Sequence, residues 1–140
     1  MTYLGKTIDG EVPPFDAHVA LLLASMTMIA SDGEILDDEL AIVRRLDGSV
    51  ETASWDAAKK IRANTPLDRI VELVAHALNS KQRLVTLANL IDIAMADGVL
   101  REPEKDLLNR YVDAFGVGEE KVDKIFDVIT LKNNKTAFER

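Results

Sequence analysis

The chain has 140 residues, of which 47% are hydrophobic and 29% are charged, a balance typical of one folded domain. Its 24 acidic and 17 basic residues give a net charge of −7, which argues against nucleic-acid binding because phosphate backbones are repelled. The chain has no cysteine, so disulfides, thiolate nucleophiles and thiolate metal sites are excluded.

The N-terminal segment and the longest uncharged run both favour a cytoplasmic protein. Residues 1–14 are polar and carry Asp9 and Glu11, which a secretory signal would not. The run without charged residues, 17–31, has 15 residues, whereas a membrane span needs about 20. We therefore expect a cytoplasmic location without membrane insertion, and we interpret this run as a buried core helix.

Apolar side chains recur at helical spacing along the chain, and no alternating strand pattern is found. The predicted fold class is all-α: one domain over residues 1–140, with a core at about 15–130 and a polar tail at 131–140. Seven helices are predicted, at residues 15–30, 38–46, 50–62, 66–78, 82–96, 103–115 and 119–130.

Capping signals fix several of the predicted helix ends. Thr65 followed by Pro66 predicts a threonine N-cap with proline at the first helical position of the fourth helix. Pro103 likewise predicts Glu102 as the N-cap of the sixth helix, and Gly116 predicts where that helix stops.

The most informative feature of the sequence is an internal repeat at an offset of 65 residues. Each copy has an apolar helix, an Asp-Gly turn and a second, amphipathic helix. We predict that the two hairpins pack around a pseudo-two-fold axis. The corresponding turn residues are Asp32 and Asp97, Gly33 and Gly98, Asp37 and Glu102, and Glu39 and Glu104.

This duplicated pattern, Asp32-Gly33-Glu34-Ile35 with Glu39 and Asp97-Gly98-Val99-Leu100 with Glu104, resembles the TerB family of tellurite-resistance proteins. The resemblance implies a seven-helix bundle in the cytoplasm and a link to tellurite or general chemical stress. It also implies metal binding through acidic residues in some members, and roles as an interaction domain in others.

The acids around the two turns form a candidate metal site. Asp32 and Glu39 lie on either side of one tight turn, so their oxygens could converge on a cation. Without cysteine or a nearby histidine, such a site favours Ca²⁺, Mg²⁺ or Mn²⁺ over Zn²⁺. The candidate ligands are Asp32, Asp37 and Glu39 in the first copy, and Asp92, Asp97, Glu102 and Glu104 in the second.

Neither copy is an EF-hand loop. The first two ligand positions of such a loop would be Met28 and Ala30 in one copy, and Ile93 and Met95 in the other. These apolar side chains cannot hold Ca²⁺, so any cation site must use a different arrangement of carboxylates.

Helix capping is the competing explanation for the same acids. Asp37 and Glu102 would be N-caps, and Glu39 and Glu104 would lie in first helical turns, where the helix dipole favours an anion. Asp92 would be a half-exposed flank residue paired with a lysine or arginine. No catalytic centre is recognisable, so we predict a non-enzymatic binding module, or alternatively an ion-free domain that binds a protein partner through an acidic face or helical groove.

Overall fold

Helices account for most of the chain that the structure describes. A computed structural model describes residues 15–31, 53–96 and 100–134, and no strand occurs among them. The predicted helix at 38–46 and both Asp-Gly turns lie outside the described residues. The described helices are α1 Ala17–Ile29, α2 Ala53–Asn64, α3 Leu67–Ala77, α4 Ser80–Ala94, α5 Glu102–Phe115 and α6 Glu119–Lys132.

Helix α1 is the centre of the packing, as its lack of charged residues predicts. It contacts α2, α3, α4 and α5, and its side chains are buried on every face from Val19 to Ile29 apart from Leu21, which is partly buried. At its start, the Asp16 side chain accepts a hydrogen bond from the Val19 amide at 3.0 Å. The predicted buried core helix is therefore confirmed. Among the described residues, no helix is both long enough and apolar enough to cross a bilayer.

Two helix starts differ from the predicted positions by one or two residues. Helix α3 begins at Leu67 with Pro66 as the N-cap, because the Pro66 carbonyl already accepts from the Ile70 amide at 3.0 Å. Helix α4 begins at Ser80, because Asn79 caps it and Gln82 bonds back to the Asn79 amide at 2.8 Å. The predicted N-cap at Thr65 is therefore wrong, and periodicity alone reveals neither the bond to the Pro66 carbonyl nor the capping box of Asn79 and Gln82.

The prediction that Glu102 caps α5 is wrong. Arg101 occupies the N-cap position, and its carbonyl accepts from the Lys105 amide at 3.0 Å, so Glu102 is already inside the helix. Pro103 still lies in the first turn, where its missing N–H does no harm. The predicted stop is confirmed: Gly116 caps α5 with φ of 69°, a left-handed conformation that favours glycine.

The ends of α1 and α4 correspond at the offset of the sequence repeat. Ala30 donates to the Met26 carbonyl at 3.0 Å, and Met95 donates to the Ile91 carbonyl at 3.0 Å. The next amides, of Ser31 and Ala96, then bond at 3.3 Å and 3.2 Å in matching patterns. These helices therefore approach their Asp-Gly turns through the same local geometry.

A buried polar contact links α1 to α5. The Thr27 hydroxyl lies 2.6 Å from the Ala24 carbonyl and 2.8 Å from the Tyr111 hydroxyl. Because a carbonyl can only accept, the threonine proton goes to Ala24 and Tyr111 donates to Thr27. The Tyr111 ring also packs against Phe115, with centroids 5.6 Å apart. Burial raises the pKa of Tyr111 far above its usual range.

We expect this raised pKa to make stability fall at alkaline pH. A tyrosine in the unfolded chain loses its proton near pH 10, whereas native Tyr111 keeps it. The free energy of unfolding should therefore drop above about pH 10, by up to about 1.4 kcal/mol per pH unit. Urea unfolding of wild type and Tyr111→Phe across this range measures the effect. Lysine titration affects both proteins alike, so equal alkaline slopes would contradict the assignment.

Arg83 on α4 binds the carboxyl ends of two other helices. Its Nε and Nη2 donate to the Ala75 carbonyl of α3 at 3.1 Å and 2.7 Å, and its Nη1 lies 3.4 Å from the Phe115 carbonyl of α5. The Ala75 carbonyl otherwise accepts only a long bond, from the Leu78 amide at 3.5 Å, so the guanidinium strengthens this helix end and offsets the negative ends of both helix dipoles. One side chain thus holds α3 and α5 against the start of α4.

Removal of this guanidinium should destabilise the fold measurably. We expect Arg83→Ala to lower the free energy of unfolding by about 1.5–3 kcal/mol, because charge-assisted hydrogen bonds to two helix ends are lost. Arg69→Ala is the matched control, since Arg69 makes an exposed ion pair with Glu72 and its loss should cost less than about 0.5 kcal/mol. Chemical denaturation measures both, and similar losses would show that Arg83 does not act as a double cap.

Candidate functional site

A cavity of about 560 Å³ lies where α1 and α2 end and where α3 and α5 begin. Its wall includes Ser31 at the end of α1 and Pro103 in the first turn of α5. In the sequence, Ser31 directly precedes Asp32-Gly33, and Pro103 directly follows Glu102 of the second copy. Residues near both Asp-Gly turns therefore line the same cavity, and its volume suits a bound ligand.

Hydroxyl groups line this cavity and differ in how they are bonded. Thr27 uses its hydroxyl in the contact with Tyr111. The Ser31 hydroxyl oxygen is shielded from solvent, yet within the described residues it has no hydrogen-bond partner. A buried hydroxyl left in this state costs free energy, and a ligand or water in the cavity would relieve that cost.

Charged side chains at the cavity come from two helices. Arg62 of α2, Arg110 of α5 and Asp106 of α5 all line it. Arg110 makes a close ion pair with Asp68 of α3, but both side chains are exposed, so the pair contributes less than about 1 kcal/mol. Sequence analysis missed Arg62 and Arg110 because helical periodicity marks them only as surface residues.

Glu104 is the predicted site residue that the structure buries most deeply. Only 2% of the residue is exposed, although glutamate is rarely buried unless it is paired. Its Oε1 accepts a hydrogen bond from the Arg101 amide at 2.9 Å, which satisfies one of the free donors at the start of α5. The predicted first-turn position is therefore confirmed, and the contact is a cap that a carboxylate or an amide could make.

Glu102 points away from Glu104. Its side chain is exposed and lies 3.4 Å from Lys105 of the same helix. Residues two positions apart in a helix, such as Glu102 and Glu104, are separated by about 200° around the helix axis. Their side chains therefore face opposite sides. The structure thus separates Glu102 from the buried carboxylate.

Asp92 joins the last turn of α4 to the end of α6. Its two carboxylate oxygens lie 3.3 Å and 3.2 Å from the Lys132 ammonium, and Asn133 donates to Oδ1 at 3.1 Å. The predicted pairing with a basic residue is confirmed. The predicted half exposure is wrong, since Asp92 is only 8% exposed, because α6 continues to Lys132 and covers it.

The remaining candidates, Asp32, Asp37, Glu39 and Asp97, lie outside the described residues. Within residues 15–31, 53–96 and 100–134, no three acidic or histidine side chains come close enough to form a metal site. Any carboxylate cluster at the turns must therefore include acids from beyond these ranges.

A double-mutant cycle should measure the contact between Asp92 and Lys132. We expect a coupling free energy of about 1 kcal/mol from Asp92→Asn, Lys132→Met and the double variant, because the carboxylate is largely shielded while the ammonium is half exposed. The matched cycle on the exposed Glu102–Lys105 pair should give less than about 0.5 kcal/mol. Urea unfolding supplies both values, and equal coupling in the two cycles would argue against a special role for Asp92.

Comparison with known proteins gives one match. Residues 18–126 match the family model described as tellurite resistance protein TerB. No curated protein and no solved structure matches the chain. The family match extends from α1 into α6 and includes both Asp-Gly turns as well as the cavity between their flanks. Because this match covers well over half of the 140 residues, the chain belongs to the TerB family.

Proposed function

We propose that this chain is a non-enzymatic cytoplasmic binding module of a tellurite-resistance-like stress response, which holds a divalent cation at its Asp-Gly turns. The observation that carries the proposal is the shared cavity, since Ser31 and Pro103 line the same space. Asp32 directly follows Ser31 in the sequence. Because residues of both halves line one cavity, a single shared site is favoured over two distant ones.

Glu104 is the proposed ligand from the second copy, in addition to its role as a cap that accepts from the Arg101 amide. Oxygen ligands of this kind suit hard ions, so Ca²⁺, Mg²⁺ and Mn²⁺ are the proposed cofactors. Glu39 is its equivalent in the first copy of the repeat.

The two roles of Glu104, as cap and as ligand, can be separated by replacing it with glutamine. Glu104→Gln keeps an oxygen that can accept from the Arg101 amide, so capping survives. The same change removes the negative charge that a divalent cation requires. Thermal stability without ions therefore reports the cap, and ion affinity reports the ligand.

We expect calorimetric titration to detect Ca²⁺, Mg²⁺ or Mn²⁺ binding to the wild type, with a matching rise in melting temperature. Asp32→Asn, Asp97→Asn and Glu104→Gln should each weaken that binding at least about tenfold. Glu72→Gln is the control, because Glu72 is an exposed acid that pairs with Arg69 and does not line the cavity. It should bind the ion as the wild type does.

Absence of heat and of thermal stabilisation at about millimolar ion would leave helix capping as the role of these acids. The alternative function is an ion-free domain that binds a protein partner. It is favoured by Leu67, an apolar side chain that is 40% exposed at the cavity. A stoichiometric partner that stays bound in chelator, and is lost with Leu67→Ser, would support this alternative.

A further inference from the structure

Helix α6 carries a surface that neither the turns nor the cavity explains. Lys121, Lys124, Val128 and Leu131 are all exposed, and their spacing of three, four and three residues places them along one face. Val128 is 62% exposed and Leu131 is 75% exposed, which makes them the most exposed large apolar residues described. We name these four residues the α6 stripe. It is about 15 Å long, with lysines in its N-terminal half and apolar side chains in its C-terminal half.

The other faces of α6 have different roles. Val122, Phe126 and Ile129 pack against the hydrophobic core. The acids lie along the adjoining side of the helix, where Glu120 and Asp127 are neighbours of Lys124, so lysines and acids occupy separate but adjacent sides. These acids are Glu119, Glu120, Asp123 and Asp127.

We propose that the α6 stripe docks an amphipathic helix of another protein, one that presents acidic side chains to Lys121 and Lys124 and apolar side chains to Val128 and Leu131. The charge of the stripe is opposite to that of the whole chain, which is −7, so an acidic partner is attracted at this surface and repelled over most of the rest. Burial of the two apolar side chains supplies affinity, and the lysines fix the register of the partner.

A narrow partner fits this surface better than a membrane does. An anionic bilayer is a broad plane, so it would approach the acidic side of α6 together with the stripe. A second copy of the chain fits poorly as well, because two exposed apolar side chains bury far less area than a stable dimer needs. A helix about 10 Å wide covers the stripe and meets less of the acidic side than a plane does.

The orientation of the partner follows from its own helix dipole. Acidic residues stabilise a helix when they lie near its N-terminus. A partner that runs parallel to α6 places its acids there and its apolar residues in its last turns. The suitable probe is therefore a synthetic helical peptide with glutamates in the first two turns and leucines in the last two.

The test is a titration of the labelled full-length protein with this acidic peptide, in which binding is monitored by NMR and by fluorescence anisotropy. We expect resonances of α6 to shift and the affinity to fall with added salt. Lys121→Glu/Lys124→Glu should weaken binding about tenfold or more, and Val128→Ser/Leu131→Ser should do the same. A peptide with lysines in place of the glutamates should not bind.

The matched control is Lys59→Glu/Lys60→Glu, which changes the net charge by the same amount on the exposed face of α2. It should bind the peptide within about twofold of the wild type. Equal weakening by the two lysine pairs would show that only net charge matters and would overturn the proposal. So would unchanged binding by the Val128/Leu131 variant, or binding of phosphatidylserine vesicles without binding of the peptide.

Discussion

The burial of α1 on every side is the constraint on which the rest of the structure depends. A helix in this position cannot carry charge, because an unpaired charge in the interior costs several kcal/mol. Its buried polar side chains are therefore short hydroxyls, and each of these bonds within the helix or to a neighbour. Ser25 donates to the Leu21 carbonyl at 2.8 Å, and Thr27 bonds both to Ala24 and to Tyr111. The surrounding helices supply the charge that solubility requires.

The helices that surround α1 meet at their ends, and polar groups there do much of the organising. Arg83 brings the carboxyl ends of α3 and α5 to the first turn of α4. Asp92 brings the last turn of α6 to the last turn of α4. Because α4 takes part in both contacts, it sets the positions of α5 and α6. The position of α5 in turn determines where its first turn faces the end of α1. The cavity between the two turn flanks is a consequence of this alignment.

Most of the described helices could be predicted from the sequence because apolar spacing encodes which face is buried. Val74, Leu87, Leu107 and Tyr111 are buried as their spacing predicts. Helix ends were less predictable, since they depend on single hydrogen bonds such as that from Lys105 to the Arg101 carbonyl. The candidate site was predicted only as a set of acids. Spacing could not reveal that Glu104 is buried while Glu102 is exposed, nor that Arg62 and Arg110 would face one cavity, because those facts depend on how helices from different parts of the chain pack.

The contacts of Thr27 and Asp92 show how the two halves of the chain differ. These residues occupy the same position in the two copies of the repeat, 65 residues apart. Each is a buried polar residue that bonds to a neighbouring helix. Thr27 forms a hydrogen bond with a tyrosine hydroxyl, whereas Asp92 forms an ion pair with a lysine ammonium. The first copy thus has an uncharged contact at the centre of the molecule, and the second copy has an ionic contact at the edge, where solvent reaches the lysine. The halves are no longer interchangeable: a chain with the two copies in exchanged order would place a carboxylate in the dry interior.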